Sequence, residues 1–163
     1  MNVDIQVLSS MKCCSRIISS QRNIDAICIR LTELLALLCI RPVGFPLTVS
    51  RHTLRSFFSH EGHLVTALDK DQNIVGMGRL VFSYESGERI PWIKDIIVDM
   101  AWRRWGVGKR ILICLIELAL AHQVRHVDVV ISPDDVVTHA LFDEFGFGEP
   151  TNNVRRFVLN TDT

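Results

Sequence analysis

The sequence predicts an α/β domain built on one mixed, mostly antiparallel sheet. Three observations carry this. Apolar residues switch between helical and alternating spacing in the order strand, two helices, three strands, helix, strand, helix, strand. The three middle strands are joined by polar turns, which makes an antiparallel meander. The segment Val127-Asp128-Val129-Val130-Ile131 is nearly all apolar, the pattern of a strand buried on both faces and parallel to its neighbour.

Taken in order, Val3, Ile5 and Val7 alternate with Asp4 and Gln6, a short first strand. Met11 to Ser20 carries no readable period. Ile24, Ile27, Cys28, Leu31, Leu35 and Leu38 then recur at helical spacing, with Asp25, Arg30 and Glu33 between them. Arg41-Pro42 is expected to end that helix, because the residue before proline avoids helical angles. Pro42, Gly44 and Pro46 mark a stiff loop. Ser50 is placed to cap a second helix carrying Leu54, Phe57 and Phe58, closed by Gly62.

Strands follow at His63 to Leu68, Ile74 to Tyr84 and about Ile90 to Asp99, with turns at 69–73 and 85–88. Pro91 falls among the first positions of the third of these, where a missing N–H matters least. A long apolar helix runs from Val107 to about His122. Pro133-Asp134-Asp135 opens another, through about Phe145, with Asp135 as N-terminal cap and Gly146 closing it. Asn152-Asn153 turns into a last strand, Val154 to Leu159.

At 163 residues the chain suits one domain with a proper core. Eighteen basic residues balance eighteen acidic ones, so charge gives no reason to expect nucleic acid or an acidic membrane as partner. The longest charge-free apolar run, Leu34 to Ile40, is too short to span a bilayer. Asp4 comes early and no apolar signal core follows, so secretion is not expected. Five cysteines, Cys13, Cys14, Cys28, Cys39 and Cys114, include no C-x-x-C pair. Cys28, Cys39 and Cys114 sit among apolar residues and read as core thiols of a cytoplasmic protein; no metal site is expected. The excess of apolar residues hints at a homodimer.

The most informative segment is Arg103-Arg104-Trp105-Gly106-Val107-Gly108, between a strand and the long helix. A helix's first turn has unpartnered N–H groups and partial positive charge, and glycines let a ligand reach them. Such a turn suits phosphate oxygens. Arg103, Arg104, Lys109 and Arg110 add charge. A Walker loop fails at Arg103, where its first glycine belongs, and at Arg110, where a hydroxyl belongs; a dinucleotide fingerprint fails at Ile111. The alternative is a glycine turn that binds nothing.

Two segments together resemble the GNAT superfamily of acyl-CoA-dependent N-acyltransferases. Ile96 to Lys109 is similar to that family's R/Q-x-x-G-x-G/A motif with its preceding strand, and Ala140-Leu141-Phe142-Asp143-Glu144-Phe145-Gly146-Phe147 to its fourth-helix segment. The resemblance implies one N-acetyltransferase domain over 1–163, with acetyl-CoA as cosubstrate. It implies a parallel strand pair that splays apart, with pantetheine in the split against backbone at Ile97 and Val98. Backbone amides of Arg104, Trp105, Gly106, Val107, Gly108 and Lys109, behind Arg103, would hold the pyrophosphate. An amide near Val98 would polarise the thioester carbonyl. Phe142 stands where the family often has a tyrosine that protonates the leaving thiolate, and Met100 where it usually has proline. A thiol with pKa near ~8.5 leaves without much help, so Phe142 does not exclude catalysis; core packing is its other reading. Trp102 and Trp105 are read as covering the core, with stacking on adenine as the alternative.

An alkylamine has pKa about 10.4, so a base is needed at neutral pH. Asp95, mid-strand among Trp92, Ile93, Ile96, Ile97 and Val98, is the first candidate. Its alternative is a structural acid bonded to Lys94, Arg79 or a backbone amide. Asp99 orients the following loop; His63 and His139 are further candidates. The acceptor, a small-molecule or peptide amine, is expected beside the loop Arg41 to Thr48, with Phe45, Phe57 and Tyr84 as pocket wall or core. Two rival readings stay open: a non-catalytic acyl-CoA-binding or regulatory module, and an interaction domain that dimerises through its first helix.

Overall fold

Alternation along the strands sorts their side chains onto two faces, and a different set of helices covers each. The structure is a computed structural model that describes residues 2–9, 22–37, 48–58, 62–151 and 153–159. Its elements are β1 (Asp4–Leu8), α1 (Arg22–Ala36), α2 (Arg51–Ser56), β2 (His63–Leu68), β3 (Ile74–Glu85), β4 (Glu88–Val98), α3 (Val107–Ala121), β5 (His126–Val130), α4 (Val136–Glu144) and β6 (Val154–Val158). A 3₁₀ turn, Met100–Trp102, lies between β4 and α3.

The strands form one sheet in chain order, β1 to β6. Every neighbouring pair is antiparallel except β4 and β5. Val65, Ala67 and Val75 join Ile111, Leu112, Leu115 and Ala119 of α3 and Phe142 of α4 in one core. Their strand neighbours Leu64, Leu68 and Ile74 join Ile27, Leu31, Leu34 and Leu35 of α1 and Leu54 of α2 in the other. Each large aliphatic side chain so buried contributes roughly 1.5–3 kcal/mol.

Two glycines set α3 against the sheet. A Cβ at Gly78 would lie 2.7 Å from Ile111 Cγ2 and 2.9 Å from Leu115 Cδ1; at Gly76 it would meet Ile111, the Ile97 carbonyl and Val107 within 3.3 Å. Their missing side chains let the helix sit down on β3, which fixes where its N-terminus emerges.

The expected caps are present. Ser50 Oγ accepts from Thr53 N at 3.0 Å, Asp135 accepts from Thr138 N at 3.0 Å, and Gly146 takes φ +79°. Some boundaries differ. α2 stops at Ser56, well short of Gly62, as Phe57 and Phe58 turn back onto Leu54 and Arg55 carbonyls in tighter i→i−3 bonds. The β3–β4 turn is only Ser86-Gly87, both at positive φ, so β4 begins at Glu88 rather than Ile90. Pro91 is therefore the fourth residue of β4 and lies just before the ladder to β5 begins at Trp92. α1 is described to Ala36; its expected stop at Arg41-Pro42, the loop through Pro46, Met11 to Ser20, Phe45, Cys13, Cys14 and Cys39 lie outside the described residues. Cys28 is buried and Cys114 half-buried, both free thiols, and burial pushes both thiols up. Among the described residues no helix is long and apolar enough to cross a membrane.

Candidate functional site

The site begins with a break in the sheet. β4 and β5 run parallel but pair only at Trp92–Asp128 and Ile93–Val129. Two residues on, Asp95 takes φ +54°, and the register with β3 slips between Met77 and Arg79. An extra residue on one strand is a β-bulge, which bends that strand. The bulge also shifts the phase of alternation: Ile93, Ile96 and Val98 face the α3 core, while Ile97 faces the α1 core.

Past the bulge, backbone polarity follows from one bond. Asp99 N donates to Val75 O at 2.9 Å, so alternation turns Ile97's backbone groups toward β3 and those of Val98 away from it. Val98 therefore presents N–H and C=O to the side where β5 has departed. Arg103 Nε donates to that carbonyl at 3.1 Å. Of the two backbone positions expected in the split, Val98 faces it and Ile97 is committed to Met77 across the ladder.

The strand-to-helix turn follows at once. Asp99 closes the 3₁₀ turn by accepting from Ala101 N at 2.9 Å. Arg104 and Gly106 both adopt left-handed φ, +63° and +76°. Gly106 is the N-cap of α3 with no side-chain cap bond, and its carbonyl accepts from Arg110 N at 3.1 Å. The turn is bare: a Cβ on Gly106 would meet nothing within 4 Å, and one on Gly108 only Val98 Cγ2 and Leu141 Cδ2, each at 3.8 Å. The same two contacts bring β4's end, the turn and α4 to one place. The first-turn N–H groups of α3 thus open on a space that no glycine substituent or capping side chain fills.

The named side chains divide. Arg103 and Arg104 are exposed beside the turn, and Val107 is buried beneath it. Lys109 is ion-paired with Glu144 of α4, so its charge ties two helices together. Trp102 is half-buried against the core, as expected, but Trp105 is 57 % exposed and belongs to neither core cluster. Phe142 is only 1 % exposed and meets the Phe147 ring edge-on at 4.6 Å. Its ring is thus packed into the core, the alternative that its sequence position already carried.

Asp95 has a structural partner. Arg79 Nε donates to its Oδ2 at 2.6 Å, and the same guanidinium lies 4.3 Å above the Phe57 ring. The carboxylate stands at the bulge, between the last β5 pairing and Val98. His63 does not join it, and His139 has a backbone partner of its own. His63 Nε2 lies 2.7 Å from His122 Nε2 at the far end of α3, and His139 Nε2 lies 3.1 Å from Ser132 O. Fifteen helical residues separate that end from the turn, about 22 Å. Phe57 is buried core, and Tyr84 lies exposed at the β3–β4 hairpin. Asp99 orients its loop as expected and carries one partner that the sequence did not reveal. Arg30 of α1 binds its carboxylate and holds that carboxyl below the usual carboxylate range. Among the described residues no three or more His, Cys, Asp or Glu side chains gather as a metal site would require.

A parallel pair that opens toward a bare strand-to-helix turn is the architecture of the acyl-CoA N-acyltransferase fold. The model of the acetyltransferase (GNAT) family matches residues 33–147, and the chain belongs to that family. Membership implies use of an acyl-CoA in general. Among solved structures, the chain is similar to an acetyltransferase from Trypanosoma brucei (TM-score 0.66, 17% identity, 92% of this chain and 95% of that one). It is also similar to glucosamine-6-phosphate N-acetyltransferase from Arabidopsis thaliana (0.62, 13%, 91% and 94%). A third is an aminoglycoside acetyltransferase from an uncultured soil metagenomic sample (0.67, 18%, 91% and 91%). At these identities the likeness is one of fold. No curated protein matches the chain.

Proposed function

We propose that the chain is a single-domain N-acetyltransferase that moves an acetyl group from acetyl-CoA to a primary amine, by direct attack with both substrates bound. The observation that carries this reading is the unobstructed turn at Gly106 and Gly108. Backbone amides from Arg104 to Lys109 would hold the diphosphate, with Arg103 and Arg104 adding charge beside it. Val98 supports the pantetheine position, since its N–H and C=O face the side that β5 leaves open. Acetyl-CoA supplies an acyl group already activated as a thioester.

The rest falls to the chain's own residues. The Val98 N–H is a fixed donor at the edge of the split, suited to a carbonyl oxygen that gains negative charge. Asp95 is proposed to take the amine's proton, directly or through water. Its pairing with Arg79 holds the carboxylate in place at the bulge. The chain's one tyrosine, Tyr84, pairs with Arg89 at the hairpin, whereas Val98 pairs with Gly76 eight residues away along β3. No phenol therefore serves the leaving thiol, whose proton would come from solvent.

That same absence favours a second reading, an acyl-CoA-binding module without turnover. Two measurements separate the cases. Acetyl-CoA at millimolar concentration should raise the melting temperature; no shift would remove both readings. A thiol-release assay across a panel of small-molecule and peptide amines should then exceed the hydrolysis background for at least one. If none does while binding persists, the module reading stands and the transferase reading fails.

A further inference from the structure

One ion pair joins α1 to the turn across 69 residues of sequence. Arg30, half-buried on α1, uses all three nitrogens of its guanidinium. Nε donates to the Ile74 carbonyl at the start of β3 at 2.8 Å. Nη1 donates to Glu33 at 2.8 Å, and Nη2 to Asp99 Oδ2. Asp99 is equally committed: Oδ1 accepts from Ala101 N at 2.9 Å, its N–H goes to Val75 O at 2.9 Å, and its carbonyl accepts from Trp102 N at 2.8 Å. The residue just past β4 is thus clamped by α1, β3 and the 3₁₀ turn together.

The chain just beyond this clamp has far less support. Met100 and Trp105 are exposed, Arg104 and Gly106 sit at left-handed angles, and α3 starts without a side-chain cap. The course from Asp99 to Gly106 decides where the α3 amides point. Asp99 is the part of that course tied to another element on α1's side, and Arg30 is the tie.

We propose that Arg30 is a positioning residue for the phosphate turn: by holding Asp99 it fixes the path of residues 100–106 and so the aim of the α3 N-terminal amides. The inference rests on the acetyl-CoA reading above. Arg30 acts through Asp99 and touches no reacting group. A planar fork with three fixed donor directions suits the task, whereas a lysine's three donors sit on one rotatable nitrogen and cannot reach three acceptors so far apart in the same geometry. A hollow of about 420 Å³ borders the tie, lined by Ile27, Arg30, Asn73 and Trp102 among others. Water can enter there when the side chain is shortened, which favours folded variants.

The test uses the full chain as Arg30→Ala, Arg30→Lys, Asp99→Asn and the Arg30→Ala/Asp99→Asn double variant. Each is titrated calorimetrically with acetyl-CoA and with S-acetylpantetheine, which lacks the diphosphate. Amide hydrogen exchange of residues 99–108 is followed in the unliganded proteins. Arg30→Ala should weaken acetyl-CoA about tenfold, the scale of one charge-assisted hydrogen bond. It should leave S-acetylpantetheine unchanged and speed exchange across 99–108. Asp99→Asn should do the same, the double variant should lose little more, and Arg30→Lys should fall between. Equal loss of both ligands, or unchanged acetyl-CoA affinity, would mark Arg30 as merely structural and overturn the proposal. If the wild type binds acetyl-CoA no better than S-acetylpantetheine, the acetyl-CoA reading itself fails; unchanged exchange at 99–108 would separately refute the tie. Should Arg30→Ala not fold, the near-isosteric Asp99→Asn decides.

Discussion

The two ends of α3 are finished in opposite ways. At its C-terminus, the His122 amide bonds Leu118 and Ala119 carbonyls. Its ring meets His63 at 2.7 Å, Arg89 at 3.3 Å and the Phe82 ring edge-on at 4.8 Å. Arg89 in turn stacks 3.7 Å over Phe82. That end is closed by side chains from β2, β3 and β4. At the N-terminus, Gly106 caps the helix in a left-handed turn, with no side-chain bond and open space beside it. An α-helix leaves unpartnered amides at its start in any protein. A chain selected for stability alone would cap them, as this one caps α2 with Ser50 and α4 with Asp135. The contrast is the ground on which the bare end is proposed as the ligand's place, while the packed end serves the fold.

The sharpest way to break the comparison is to fill the bare end. Gly108→Trp should weaken acetyl-CoA by about a hundredfold or more, roughly 2.7 kcal/mol, while Gly108→Ala should bind nearly as the wild type does. Only ordinary contacts at 3.8 Å await the added methyl. Calorimetric titration of both variants reads the difference. If the tryptophan variant binds normally, the diphosphate lies elsewhere.

Moving from the turn to its foundation, Gly78→Val puts a branched side chain where Ile111 and Leu115 already stand within 2.9 Å. It should cost about 1–3 kcal/mol of stability by overpacking, read by denaturant unfolding. At the packed end, His122→Ala should cost about 1 kcal/mol and leave acetyl-CoA affinity untouched. A change in affinity there would mean the two ends are coupled rather than distinct.

The smallest effect is in acid. Arg30 lowers the Asp99 carboxyl below its ordinary value, with help from the Ala101 amide. A depressed folded pKa stabilises fully above the unfolded value of about 3.9 and is lost as pH falls through the folded one. The wild type should therefore lose more stability than Asp99→Asn on acidification below about pH 4. Parallel acid limbs for the two proteins would show that Arg30 adds nothing through this pair.

Legibility in the sequence tracks the range of each interaction. The elements, their order, the Ser50 and Asp135 caps and the Gly146 stop are local matters of period and capping, and they read directly. The place of the glycine turn, between β4 and α3, reads as well, since it depends on six consecutive residues. Phe142 reads only as far as its helix, because a motif position does not say which way its side chain packs; core packing and cofactor contact both stay open in the sequence, and the structure buries the ring. Size alone places Trp105 with the core, yet it lies between two left-handed residues that carry it outward. Asp95's bulge is hidden, because a non-glycine at φ +54° carries no composition signal. Gly76 and Gly78 do leave a signal, two glycines inside a strand, which marks a close approach. Arg30 leaves none: its partner lies 69 residues away, and only the packing of α1 on β3 and β4 brings them together.

The central claim is that the first-turn amides of α3 receive the diphosphate of acetyl-CoA. Amide chemical-shift mapping during a titration with coenzyme A tests it most directly, because it reads each N–H separately. The largest shifts should fall at Gly106, Val107, Gly108 and Lys109, with Val98 following and His122 silent. Shifts that spare these amides, or that gather around His63 and His122, would contradict it.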